Sequence, residues 1–97
     1  MKHLPNILIV DDIEVNLSLL ETIVGSIHVN LIQALSGPEA LEKIRGVELA
    51  LAILDVRMPI MNGFELALKI NENRSGDNVP IIFLTAMSNN EHEEFKG

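Results

Sequence analysis

Leu49-Ala50-Leu51-Ala52-Ile53-Leu54 is an unbroken apolar run closed by Asp55. The run does not alternate with polar residues. A strand buried on both faces reads this way, and such strands belong to parallel sheets covered by helices. Ile7-Leu8-Ile9-Val10, closed by Asp11 and Asp12, has the same character. So does Ile81-Ile82-Phe83-Leu84, closed by Thr85. A fourth run, Val29 to Leu35, carries Asn30 and Gln33 and reads as a strand at the sheet edge.

Helical segments lie between these runs. Glu14 to Ser26 has apolar residues at Val15, Leu19 and Ile23, and again at Leu17, Leu20 and Val24. That is wider than one stripe, so this helix expects neighbours on two sides. Ser36-Gly37-Pro38-Glu39 is a capping-box pattern with proline in the first turn, opening a helix to about Arg45. Asn62-Gly63-Phe64-Glu65 opens another to about Asn73, and Arg74 to Asn78 is a polar loop. Ser88-Asn89-Asn90-Glu91 is a further capping box near the end of the chain. Strands alternate with helices four times. This order implies right-handed crossovers and an α/β, doubly wound parallel sheet. Ligands of such sheets bind outside the carboxyl ends of the strands, where the strand order switches.

A chain of 97 residues fits one domain, spanning 1–97. It buries only roughly 60–65% of the surface its unfolded form exposes, which leaves a thin margin of stability. The net charge is −7, from 14 acidic and 7 basic side chains, and Asp11, Asp12 and Asp55 supply nearly half of that excess. This balance argues against direct nucleic-acid binding, which relies on a basic footprint, and against anionic lipid. Cysteine is absent, so disulfides and thiolate metal sites are excluded. Ile7 to Val10 is too short for a signal-peptide core or a membrane span, so a soluble, cytoplasmic domain is expected.

The chemistry follows from placement. Asp11 and Asp12 end the first strand, Asp55 the third and Thr85 the fourth, so in a parallel sheet all four lie on one rim. If the third strand pairs beside the first, three carboxylates converge. Each pair at ~4 Å repels by on the order of 4 kcal/mol at an effective dielectric of 20. A raised carboxyl pKa or a bound cation relieves this, and an all-oxygen set with open positions suits Mg²⁺. An Asp pair at a strand end is by itself commonly helix-capping chemistry, and Thr85 alone could be a turn hydroxyl. Met58-Pro59 and Asn62-Gly63 alone are turn signals. His3, His28 and His92 are scattered and read as surface groups, while Met61, Met87 and Phe95 read as packing residues. Glu91-His92-Glu93-Glu94 reads as a solvated helix face.

Taken together, three stretches resemble the receiver domain of two-component response regulators. They are Ile7 to Asp12, Ala52 to Gly63 and Pro80 to Ala86. The resemblance covers essentially the whole chain and implies a flavodoxin-like sheet of order 2-1-3-4. It also implies that Asp55 is the phosphoacceptor for a sensor histidine kinase and that Thr85 is the switch hydroxyl. Asp12 and Asp55 would be carboxylate ligands of Mg²⁺, with Asp11 acting largely through water and Arg57 through its backbone carbonyl. Such a domain is a signalling phosphoacceptor rather than an enzyme with turnover, beyond its self-phosphorylation and autodephosphorylation. Relative to the family, the fifth strand, its Lys-Pro and the fifth helix are not present, so the chain reads as C-terminally incomplete and without its effector domain. An open edge on Ile81–Leu84 and self-association or strand exchange through it are the expected consequences.

Two other readings stand beside this one. A receiver-like interaction module that is never phosphorylated would carry the acids only as caps. An aspartyl-phosphate hydrolase would be expected to show an Asp-x-Asp pattern, and Arg57 stands where the second Asp would be. Neither a G-x-G-x-x-G after the first strand nor a Gly-Lys-Ser/Thr occurs, which removes dinucleotide and P-loop readings.

Overall fold

The structure, a computed structural model, describes residues 3–72 and 76–85. The elements are β1 (Asn6–Val10), α1 (Glu14–Val24), β2 (Asn30–Ala34), α2 (Gly37–Lys43), β3 (Leu49–Asp55), α3 (Gly63–Glu72) and β4 (Ile81–Leu84). The Ser88–Glu91 capping box, with Met87, His92, Phe95 and Lys96-Gly97, lies outside the described residues.

All strand pairs are parallel and the order is β2-β1-β3-β4. The expected order 2-1-3-4 is therefore the observed one, with β2 on an edge. The two central strands are buried on both faces, as their unbroken apolar runs require. Side chains alternate between the faces. Leu8, Val10, Ala52 and Leu54 join Ala40 of α2 and Leu66 and Ile70 of α3 on one face. Ile7, Ile9 and Ile53 join Leu17 of α1 on the other, with Leu20 and Val24 packed against them. Burying each large aliphatic side chain contributes roughly 1.5–3 kcal/mol, so these layers fix the register of β1 against β3.

Helix α1 stops at Val24, short of the expected Ser26, with Gly25 as its C-cap and Gly25 N–H donating to Glu21 O. Its buried contact is one-sided among the described residues. Leu17 is covered, whereas Val15, Leu19 and Ile23 are exposed. The Ser36 box forms with one change from the usual pattern. Glu39 N–H donates to Ser36 Oγ at 3.2 Å, but the Glu39 carboxylate accepts from Leu35 N–H at 2.8 Å. Before α3 the box is fully reciprocal: Glu65 N–H donates to Asn62 Oδ1 at 2.8 Å and Asn62 N–H to Glu65 Oε1 at 2.9 Å. Asn71 then brackets Val79, accepting its N–H at 2.7 Å and donating to its carbonyl at 3.4 Å, which fastens the approach to β4.

Candidate functional site

The register of the sheet builds the site. Val10 pairs with Leu54 and Asp55 with Leu84, so the residues leaving β1, β3 and β4 share one rim. Asp11 N–H still donates to Ala34 O, and Val56 N–H to Leu84 O, so the ladders hold the backbone up to the point where the acids begin. One carboxylate oxygen from each of Asp11, Asp12 and Asp55 lies within 4.8 Å of the other two. Asp11 and Asp55 are buried, at 3% and 5% exposure, and Asp12 faces solvent. The three acids named from sequence are therefore brought together.

Thr85 follows β4 directly and is exposed. It lines a cavity of about 260 Å³ with Asp11, Asn16, Leu19, Leu20, Asp55 and Leu84. Arg57 touches the site through its backbone N–H, which donates to Asp55 Oδ1 at 3.3 Å. Asn16 was not singled out in the sequence. Its Nδ2 donates to Asp11 Oδ2 at 3.2 Å, while Asp11 Oδ1 accepts Ile13 N–H at 3.0 Å. The available signal was weak: one of several polar side chains on α1, placed in its first turn. Neither Asp is the N-cap expected of an Asp pair at a strand end; Asp11 instead braces the residue that is, through the bond to Ile13 N–H. Ile13 is the N-cap of α1 and has no side-chain bond of its own to give.

Burial, and then the nearby Asp11 carboxylate, push the Asp55 carboxyl above its ordinary value of 3.8. Asp12 adds to the rise, and the Arg57 N–H opposes it. The donor set is all oxygen, negatively charged and open on the Asp12 side. It therefore fits a hard divalent cation such as Mg²⁺, which tolerates retained waters and needs few protein ligands. No helix among the described residues is long and apolar enough to cross a membrane.

A family profile described as the response regulator receiver domain matches residues 7–95. The chain is 37% identical over 84 residues to the autoinducer 1 sensor kinase/phosphatase LuxN of Vibrio campbellii, covering 87% of this chain and 10% of LuxN. It is 35% identical over 81 residues to the response regulator PleD of Caulobacter vibrioides, covering 84% of this chain and 18% of PleD. The chain thus spans less than a fifth of either relative's length. The Vibrio cholerae chemotaxis protein CheY4 superposes with a TM-score of 0.79 at 27% identity, covering 97% of this chain and 79% of that one. The Thermotoga maritima response regulator TrrA, solved in complex with Mg²⁺-BeF, gives 0.76 at 32% identity, covering 92% and 76%.

Proposed function

This chain belongs to the response regulator receiver domain family of two-component systems, and from that premise we propose that Asp55 accepts a phosphoryl group from a sensor histidine kinase. The observation that carries the reading is the meeting of Asp11, Asp12 and Asp55 beside Thr85 at the carboxyl ends of β1, β3 and β4. An Asp55 carboxylate oxygen attacks phosphorus in a phosphohistidine. A P–O bond forms, the P–N bond breaks, and the imidazole leaves with the electron pair and takes a proton from solvent. Asp55 is suited to this because Arg57 N–H holds one oxygen and the side chain is buried at the floor of the site. Asp11, Asp12 and Asp55 would hold Mg²⁺, with the Arg57 carbonyl as a further ligand. The ion, when bound, offsets the charge of the carboxylates and of the phosphoryl oxygens.

Thr85 supplies the switch in this reading. An acyl phosphate carries about −1.5 to −2 charge in place of the carboxylate's −1 and brings strong acceptors, to which a hydroxyl on the same cavity can donate. The proposal extends to a cytoplasmic setting, to an effector in the remainder of a longer protein, and to self-association or strand exchange through β4. A sharp monomer in sedimentation at high concentration rejects the last of these. The central test is mass spectrometry after acetyl phosphate with Mg²⁺, together with beryllofluoride binding. An adduct on wild type and none on Asp55→Ala is expected. No adduct on wild type, or equal labelling of both, rejects the phosphoacceptor and favours an interaction module that is never phosphorylated.

A further inference from the structure

Asp11 has both carboxylate oxygens engaged, one by Ile13 N–H and the other by the Asn16 side chain. The two donors are unlike. The backbone N–H is there whatever residue follows, whereas the amide depends on asparagine at this position. One bond alone leaves the carboxylate free to turn, because its terminal torsion is broad. A second donor on the other oxygen fixes its plane. Asn16 is half-buried in the first turn of α1 and lines the same cavity as Asp11, Asp55 and Thr85. Its donor is neutral. Unlike a lysine or arginine placed there, it orients Asp11 without pairing off the charge that a cation needs.

We propose that Asn16 is a positioning residue for the acidic site, holding Asp11 in the orientation from which it helps to bind a divalent cation. The proposal rests on the Mg²⁺ reading above. Hydrogen-bond partners that orient metal-binding carboxylates typically matter by 10–100-fold in affinity. The test is Mg²⁺ titration calorimetry, with no phosphoryl donor, on four forms of the 97-residue chain: wild type, Asn16→Leu, Asp11→Asn and the double variant. Asn16→Leu keeps the branched shape and heavy-atom count and should weaken Mg²⁺ about tenfold. In the Asp11→Asn background the same change should weaken it no further, a non-additivity that a mere brace for the start of α1 would not produce. Asn16→Ala, in a helix that tolerates alanine, repeats the cycle if the leucine variant does not fold. Wild-type affinity in Asn16→Leu or Asn16→Ala, or penalties that add, overturns the proposal while leaving the Mg²⁺ site standing. No Mg²⁺ binding by the wild type overturns both.

Discussion

Asp55 bears a cost in the cation-free protein. Its carboxyl is held above the ordinary value by burial and by Asp11. The native state therefore keeps this proton to higher pH than the unfolded chain does. This group favours folding most below the ordinary value of 3.8, and that support is lost as pH rises through the raised native value. Asp55→Asn removes the dependence. Without divalent cation it should melt with wild type at low pH and above it at neutral pH. Adding Mg²⁺ should then raise the wild-type midpoint and leave the variant's nearly unchanged. Thermal melts across pH, with and without Mg²⁺, check both. Ile60 shows a different strain. It has φ 73, is exposed, and lies at the centre of a tight turn closed by Met61 N–H donating to Pro59 O at 2.7 Å. A β-branched residue there costs on the order of 1–2 kcal/mol, part of which glycine would return in lost unfolded-state restriction. Ile60→Gly should raise stability by about 0.5–1 kcal/mol in urea unfolding, since little burial is lost.

At the scale of elements, the turn from β3 into α3 aims Asp55. Gly63 N–H donates to Val56 O at 3.0 Å, folding the helix start back over the end of the strand. A Cβ at Gly63 would press into the Asp55 carbonyl and lie 3.0 Å from Val56 Cα. Both contacts are backbone, so nothing soft can give way. Gly63→Ala should cost about 1–3 kcal/mol and weaken Mg²⁺ binding with it, as calorimetry on the folded variant would show. The sequence made the elements legible because apolar runs and capping residues are local signals. The four strands fall within a residue or two of their runs, and the three described helices begin where their opening residues placed them. The meeting of Asp11, Asp12, Asp55 and Thr85 was legible too, since it needs only parallel strands ending together. What was hidden depends on atoms brought near by folding. The Glu39 carboxylate chose Leu35 N–H, Asn16 reached Asp11, and Arg57 met Asp55 through its N–H. No spacing rule names such partners.

At the scale of the whole molecule, the two faces of the sheet are unequally covered among the described residues. The α2 and α3 face has the larger buried cluster, including Leu66, Leu8 and Leu54 at 0% exposure. The α1 face rests on fewer residues, and Val15, Leu19 and Ile23 are 61%, 59% and 68% exposed. Local opening follows buried apolar contact. Amides of α1 should therefore exchange with deuterium through a lower-energy opening than those of β1, β3 or α3. Equal protection of α1 and β3 would contradict this picture. The two margins of the sheet are unequal as well. On β2, Lys43 Nζ donates to Gln33 O at 2.7 Å, so a cation already occupies one of that strand's acceptors. On β4, Ile82 and Phe83 are exposed, and the strand carries no charged residue. Among the described residues the two flanks thus differ in kind: a lysine caps one acceptor of β2, while β4, uncharged, ends at Thr85 beside the acidic cavity.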